Sequence, residues 1–383
     1  MTAFSPKVNE IIDVFLFLLI FYRLWFSDMN NDPETSRLAS NVSENNSSHL
    51  HDSVPQLNPI YLFSPVDVTT KWALCAHFST IGCLGFVGNC LLLYFLWKKP
   101  KRNAIQRSRF VKNFNLYVRS MSLSDILSCT VSLPLICIQI LFDVFQSGWA
   151  CKLVRYLNFI FPAITINNLV VISVEKYLST RANPRTLSAA TVQKLIIFAW
   201  VFGLFFMLFP AAVYDGIRVD LNDTHFTVVC RNNQNFYPFQ ILLVVFPVQY
   251  LLPGIFITYI NICLMKTVWV RGNRKVGNGP MDNAVKAKMR AVRLKGISLL
   301  IAITFTFIIT YCFFLGYQIA YNLQAQPNRD FSSDFVIRYA SGSIAYFNCV
   351  TDVIIYFVQM EDFREFLRRR LCRSESGNGN NHI

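Results

Sequence analysis

The sequence predicts an all-α membrane protein: a seven-transmembrane helix bundle with a short amphipathic helix after the last span. The chain is 53% hydrophobic and 15% charged, whereas soluble domains carry about 25% charged residues. Its apolar residues also fall into seven runs, each at least about the 20 residues that a helix needs to cross the hydrocarbon core. We expect spans at Trp72–Trp97, Phe114–Phe142, Cys151–Leu178, Val192–Tyr214, Phe239–Val268, Ile297–Tyr321 and Phe335–Phe357.

The net charge of +14 is unevenly distributed along the chain and predicts its orientation. Lysine and arginine cluster in residues 98–112, 266–295 and 364–373, which all lie on one side of the predicted bundle. By the positive-inside rule that side is cytoplasmic, so we expect a multi-pass protein of the plasma membrane with an extracellular N-terminus. Membrane lipids account for these basic clusters, and no nucleic-acid partner is expected.

Residues 1–71 are expected to form an extracellular N-terminal region, of which Ser27–Asp67 is polar and predicted to be disordered. Within it, residues 11–26 are apolar but interrupted by Asp13 and Arg23. This segment is either a signal-peptide core or an uncleaved tail that lies on the membrane surface. Asn-x-Ser/Thr triplets, which are glycosylation acceptors, fall on the predicted outer side at Asn41, Asn45, Asn46 and Asn222.

Two of the eleven cysteines lie outside the apolar interior of the spans, on the predicted outer side. Cys151 begins the third span, and Cys230 lies in the long outer loop before the fifth. Because both face an oxidising compartment, we expect a disulfide that pins this loop to the third helix. The alternative is a pair of unpaired loop thiols.

Asp125 and Asp352 each lie inside an apolar run. A carboxylate at membrane depth costs at least about 2.5–3.5 kcal/mol on insertion scales, so it is tolerated only where it faces a bundle interior, a partner or water. The two acids predict a polar working site inside the bundle.

Four of the predicted spans each contain a distinct short motif. They are Gly88-Asn89 in the first span, Leu123-Ser124-Asp125 with Pro134 in the second, Trp200 with Pro210 in the fourth, and Pro253 in the fifth. On these motifs the chain resembles the rhodopsin-like (class A) G-protein-coupled receptors, as a divergent member, from about Trp72 to Cys372. In this resemblance Cys151 and Cys230 correspond to the usual disulfide of the family.

The resemblance implies a G-protein coupling site at the inner end of the third and seventh spans. Glu175-Lys176-Tyr177 stands where the family usually has acid-Arg-Tyr, and Tyr356 closes a motif in which Val353 replaces proline. Lysine keeps the charge of arginine but loses its planar fork of donors, so coupling is expected to be weakened or altered. The alternative is an ordinary interfacial lysine beside a glutamate.

The sixth span departs most from the family pattern, because it lacks the usual tryptophan and proline. Without that proline the helix should keep its hydrogen-bond ladder and be less kinked. Ile166, Pro253 and Phe307 fit the trio that repacks during activation, or simply pack the core. Arg293 stands where many members have an acid, so it would repel Lys176 and the resting-state lock would be missing.

The resemblance also gives the two buried acids a shared role. In many members, the positions of Asp125, Thr165, Asn348 and Asp352 form a pocket that holds a sodium ion. Two neighbouring carboxylates cannot both stay charged unless a cation lies between them. No other cofactor or metal is expected.

We expect the ligand to be an extracellular peptide or small molecule. Asn158 replaces the aspartate of amine receptors, and Tyr346 replaces the retinal-binding lysine of visual pigments, so neither a monoamine receptor nor an opsin is expected. Long outer segments favour a peptide. The expected pocket residues, which could instead only pack helices, are Asn158, Phe161, Tyr317, Tyr339 and Tyr346.

Residues 358–383 are predicted to form an amphipathic helix on the inner leaflet, at Glu361–Leu371, and a short cytoplasmic tail. Cys372 is either a palmitoylation site or a plain free thiol.

The function that the resemblance implies is transduction of ligand binding into activation of a heterotrimeric G protein, with arrestin as a further partner. One alternative is a signalling-impaired or constitutively active receptor-like protein. Another is a membrane transporter, although the repeated halves typical of transporters are not evident. An enzyme is not expected, because the sequence has no nucleophile–base grouping, metal-ligand spacing or phosphate-binding glycine loop.

Overall fold

Long apolar helices dominate this computed structural model, which describes residues 59–98, 109–145, 147–180, 186–233, 247–272, 282–323 and 330–377. Seven of the described helices are long and apolar enough to cross a membrane, so the predicted number of spans is confirmed. In chain order the spans are Val68–Lys98, Arg109–Leu141, Gly148–Thr180, Ala189–Ala212, Val248–Thr267, Ala291–Tyr317 and Phe331–Gln359.

Several spans change helical geometry near a proline, whose ring clashes with the carbonyl four residues earlier. The second span is α-helical over Arg109–Leu127 and Leu133–Leu141, with a π-helical turn at Ser128–Ser132 between them. Pro134 is the second residue after this turn.

The fourth and fifth spans repeat this pattern. In the fourth, the helix Ala189–Phe206 ends four residues before Pro210, and a short helix follows at Leu208–Ala212. In the fifth, a π-helical turn at Pro247–Leu251 precedes the helix Leu252–Gly272.

The sixth and seventh spans differ from one another in continuity. The helix that contains the sixth span runs unbroken from Asp282 to Leu323, as expected for a segment without proline. The seventh divides into Phe331–Tyr346 and Asn348–Gln359. Phe347, at the division, still donates its backbone N–H to the carbonyl of Ser343 at 2.9 Å.

The third span is the centre of the bundle. Within its apolar window 72% of residues are buried, against 28% in the fourth span. Ile164 and Leu169 are fully buried in the main hydrophobic core. Large apolar side chains on the outer faces, such as Phe198 and Phe305, are more than half exposed, as expected where helices meet lipid.

A small sheet covers part of the outer side. Strands β2 (Tyr214–Asn222) and β3 (His225–Asn232) form an antiparallel hairpin, and β1 (Ile60–Tyr61) pairs parallel to β3. The segment before the fifth span is therefore a hairpin over this stretch rather than an open loop. Disorder was wrongly predicted for Pro59–Asp67, because the backbone groups of Ile60 and Leu62 bond to β3 and its turn.

The expected disulfide is present, joining Cys151 at the start of the third span to Cys230 in β3. Asn222, at the tip of the hairpin, is exposed. Segment 11–26 and Asn41, Asn45 and Asn46 lie outside the described residues.

The predicted helix after the last span is confirmed and extends over Glu361–Gly377. Phe363 anchors it to the bundle: its side chain is buried and its ring centroid lies 5.2 Å from that of Phe95 in the first span. The backbone of Cys372 belongs to this helix, and its side chain lies outside the described part of the chain.

Candidate functional site

A cavity opens in the outer half of the bundle. It holds about 860 Å³ of empty space, counting its open mouth, and is bounded by helices and by the base of the hairpin. Four of the five residues predicted for a ligand pocket line it: Asn158, Tyr317, Tyr339 and Tyr346. Phe161 does not. Its side chain is buried in the main core, and its carbonyl accepts a hydrogen bond from Ser124.

Three arginines that were not singled out from the sequence also line the cavity. Arg338 and Arg231 both bind the carboxylate of Asp334, at 2.9 and 3.2 Å. The hydroxyl of Tyr317 donates to the other oxygen of Asp334 at 3.1 Å. Arg155 donates instead to the carbonyl of Cys230 at 3.2 Å.

The disulfide and one tyrosine fix the walls of the cavity. Because Cys230 is bonded to Cys151, the base of β3 lies close to the third span, where its carbonyl meets Arg155. On the opposite side, Tyr346 of the seventh span donates its hydroxyl to the backbone carbonyl of Asn158 at 2.9 Å. The third span is therefore held to both the hairpin and the seventh span.

A second polar group lies deeper in the bundle. Asp125, Thr165, Asn348 and Asp352, which the sequence predicts to form an ion pocket, are all buried. The two carboxyl groups lie within electrostatic range of each other. The hydroxyl of Thr165 bonds to Ser124 at 3.1 Å and not to an acid.

Several oxygen atoms in this group are buried without a hydrogen-bond partner among the described residues. They are both carboxylate oxygens of Asp352, one of Asp125, and the side-chain oxygen of Asn348. The described part of the chain has no group of three His, Cys, Asp or Glu that could hold a metal. The potential ligands are two carboxyl groups and a neutral amide oxygen, and such oxygen ligands suit hard cations.

At the end of the bundle predicted to be cytoplasmic, Glu175 and Lys176 form an ion pair that is fully sealed from solvent. Their charged atoms are 2.7 Å apart, and both side chains are 0% exposed. Asn113 donates to Glu175 at 3.3 Å, and the ammonium of Lys176 lies 4.0 Å from the ring centroid of Phe110. Arg293 lies within electrostatic range of Lys176.

Phe110 was missed in the sequence, since an aromatic residue at the start of a span is an ordinary interfacial feature. It is buried and packs against the sixth span, where a Cβ placed on Gly296 would lie 3.1 Å from its ring. Tyr177 is half-buried, whereas Tyr356 is fully buried and its hydroxyl has no hydrogen-bond partner among the described residues.

The trio predicted to repack on activation is partly assembled. Ile166 and Phe307 are both buried in the main core, and Pro253 is half-buried on the fifth span. Phe307 stacks on Tyr311 with ring centroids 4.3 Å apart, and Tyr311 stacks on Tyr250 at 5.8 Å. This aromatic stack connects the middle of the bundle to the outer cavity, which Tyr250 and Tyr311 also line.

Comparison with known proteins agrees with this architecture. A family model described as "7 transmembrane receptor (rhodopsin family)" matches residues 88–356. The chain belongs to the rhodopsin family of seven-transmembrane receptors. The resemblance inferred from the sequence motifs is confirmed, and this receptor family is not a family of enzymes.

The receptor is similar, at low identity, to several peptide receptors. It is 27% identical to neuropeptide Y receptor type 6 of Oryctolagus cuniculus over 61% of the chain and 63% of that receptor. It is 21% identical to galanin receptor 2a of Danio rerio over 81% of each chain. It is 23% identical to a QRFP-like peptide receptor of Branchiostoma floridae over 84% of the chain and 80% of that receptor.

Proposed function

We propose that this receptor lies in the plasma membrane with its N-terminus outside, binds an extracellular ligand in the outer cavity, and activates a heterotrimeric G protein at its cytoplasmic end. The observation that carries the proposal is that the third span contributes a residue to the cavity and another to the buried ion pair. It places Asn158 in the wall of the cavity and Lys176 in a sealed ion pair near the opposite end of one continuous helix, Gly148–Thr180.

A ligand shifts a two-state bundle only if it contacts the two states differently. In the resting state, Lys176 is enclosed by Glu175 and Phe110, out of reach of any cytoplasmic protein. In the active state, we assign Lys176 and Tyr177, with Tyr356, to the surface that meets the G protein and arrestin. The change requires Phe110 to leave the sixth span, which contacts it through Gly296.

The route between the two ends passes through the aromatic stack. A ligand in the cavity contacts Tyr250 and Tyr311, and Tyr311 stacks on Phe307. We assign Phe307 a repacking role with Ile166 and Pro253. Such a shift is discrete rather than gradual, because close-packed interiors exchange between alternative packings.

A peptide is the ligand class that we favour. Three of the similar receptors are named for peptides: neuropeptide Y, galanin and a QRFP-like peptide. The cavity has polar and aromatic walls and an open mouth, so it can take one end of a chain while the rest lies outside.

We assign the deep oxygen cluster to sodium, with Asp125 and Asp352 as charged ligands and Thr165 and Asn348 beside them. A bound sodium ion would offset one of the two carboxylate charges and reduce the repulsion between Asp125 and Asp352. We expect sodium chloride to raise the unfolding temperature of the purified receptor more than choline chloride does, and Asp352→Asn to weaken that difference. An unchanged difference in Asp352→Asn would contradict the assignment.

Two covalent modifications are expected of a receptor that lies in the plasma membrane with its N-terminus outside. We assign N-glycans to Asn41, Asn45, Asn46 and Asn222, and a palmitoyl group to Cys372, beside a helix that lies on the inner leaflet. Asn222→Gln should remove one step of the gel shift seen on enzymatic deglycosylation. Cys372→Ser should abolish incorporation of a clickable palmitate analogue. No change in either readout would refute the corresponding site.

The test of coupling is ligand-free G-protein activation in cells, comparing the native chain with two variants of Lys176. Lys176→Arg should raise activation, because arginine supplies a fork of donors that lysine lacks. Lys176→Ala should abolish it. Lys152→Ala, at the outer end of the same helix, is the matched control and should leave activation unchanged. If none of these proteins activates any G protein, the proposed function is wrong.

A further inference from the structure

The outer cavity carries an excess of positive charge. Among the described residues, its lining includes Arg155, Arg231 and Arg338 and contains no acidic residue. The nearest carboxylate, Asp334, is shared by Arg231 and Arg338. Low-dielectric walls concentrate the field of such charges, so the cavity attracts anions.

Within the described part of the chain, Arg231 and Arg338 pair with Asp334, whereas Arg155 forms no salt bridge. Arg155 donates one hydrogen bond to the carbonyl of Cys230, at 3.2 Å, and lies over the face of the Tyr214 ring, with the guanidinium 5.3 Å from the ring centroid. Its Nε atom is buried and has no hydrogen-bond partner among the described residues. Leaving a buried donor unsatisfied costs about 1–3 kcal/mol, and more for a charged group.

An unsatisfied acceptor lies beside this donor. Asn158 is three residues after Arg155 on the third span, so the two side chains leave the same face of the helix. The side-chain oxygen of Asn158 is buried and also has no partner among the described residues. Its backbone is fixed, because Tyr346 donates to the carbonyl of Asn158.

We propose that the cavity binds an α-amido carboxylate, the group found at the free C-terminus of a peptide. The carboxylate accepts from Arg155, and the neighbouring amide N–H donates to the side-chain oxygen of Asn158. A fatty acid offers the charge without the donor, and an amidated peptide offers the donor without the charge. The side chain of the terminal residue packs against the aromatic walls, which include Tyr250, Tyr311 and Phe314.

An N-acyl amino acid has the same end group as a peptide with a free C-terminus. The peptide is favoured because the cavity opens outward and can accommodate a longer chain. This inference rests on the receptor function proposed above. Its test uses purified receptor without G protein, so a failure of coupling and a failure of binding are separate results.

The experiment measures the unfolding temperature of the purified receptor in lipid nanodiscs with four probes. They are a pool of short peptides as free C-terminal acids, the same pool as C-terminal amides, N-acetyl-leucine, and dodecanoate. We expect the acid pool to raise the unfolding temperature and the amide pool and dodecanoate to leave it unchanged. If N-acetyl-leucine also raises the unfolding temperature, the receptor recognises the α-amido carboxylate itself. If only the acid pool raises it, the receptor requires a peptide that ends in this group.

Arg155→Gln should raise the half-saturating concentration of the acid pool at least tenfold. Arg218→Gln, on the exposed face of the hairpin, is the matched control and should leave that concentration unchanged. The proposal is overturned if the acid and amide pools raise the unfolding temperature equally, or if dodecanoate raises it as much as the acid pool does. It is also overturned if no probe raises it.

A second variant tests the site without any ligand. Asn158→Asp places a carboxylate three residues from Arg155, where it imitates the bound anion. It should raise the unfolding temperature of the ligand-free receptor and remove the response to the acid pool. In the Arg155→Gln background the same change should lower the unfolding temperature. If Asn158→Asp destabilises both backgrounds equally, Arg155 does not bind a carboxylate there.

Discussion

The sealed pair of Glu175 and Lys176 gives a sharp prediction about the resting state. Glu175→Gln keeps the size of the side chain and its acceptor for Asn113, but leaves Lys176 charged and unpaired. Both side chains are 0% exposed, and removing one partner of a buried ion pair costs about 3–5 kcal/mol. Glu175→Gln should therefore destabilise, by most of this amount, the conformation in which the Glu175–Lys176 pair is buried.

The size of the effect follows from the two-state equilibrium. A loss of about 3 kcal/mol that is confined to the resting state multiplies the ratio of active to resting receptor by more than about 100, since about 1.4 kcal/mol is a factor of ten. We expect ligand-free nucleotide exchange on a co-reconstituted G protein to rise toward saturation. The unfolding temperature should fall in the same preparation.

The chain supplies a matched control in the ion pair of Arg218 and Asp220, whose side chains are 50% and 70% exposed. Exposed pairs contribute about 0–1 kcal/mol, so Asp220→Asn should alter neither readout. The reasoning is refuted if Glu175→Gln changes exchange and unfolding no more than Asp220→Asn does.

Three further predictions concern packing, a surface hydrogen bond and the disulfide. Gly88→Ala should destabilise the receptor by about 1–3 kcal/mol, because the new Cβ would lie 2.7 Å from the nearest methyl of Val353. In a double-mutant cycle measured by thermal unfolding, adding Val353→Ala should restore most of the lost stability. If it restores none, this contact is not the cause of the loss. Tyr61→Phe should cost about 1 kcal/mol, because the hydroxyl donates to Asp143 at 2.6 Å. Burial, and secondly the Asp143 carboxylate, raise the pKa of Tyr61, so the stabilisation by this hydroxyl should be present below the usual tyrosine pKa and be lost as the pH rises above it. The prediction is contradicted if the native chain and Tyr61→Phe have identical alkaline unfolding profiles. Cys151→Ser should lower stability by about 2–5 kcal/mol, and a chemical denaturation midpoint equal to that of the native chain would contradict it.

The membrane architecture could be predicted from the sequence because its causes are local. Span length, hydropathy and the side on which Lys and Arg cluster are read residue by residue. The disulfide followed from two cysteines that face the same oxidising side. The division of the seventh helix at Phe347 has no such signal, because the family's proline is replaced by Val353.

The charged lining of the cavity could not be predicted in this way. Arg155, Arg231 and Arg338 come from the third span, the hairpin and the seventh span, and only folding brings them together. The pair of Arg338 and Asp334 has helical spacing, four residues apart, whereas Arg155 and Cys230 lie 75 residues apart in the sequence. Likewise, Phe110 lies 66 residues before Lys176 and meets it only through helix packing.

The small sheet joins the chain before the first span to the wall of the cavity. Residues at the base of the hairpin, Cys230 and Arg231, line the cavity, whereas its tip is paired with β1 at His225 and Phe226. One hairpin therefore contacts both the cavity, at its base, and β1, near its tip. If the cavity binds the ligand as proposed, an antibody against Ile60 and Tyr61 should change ligand binding through the sheet without entering the cavity.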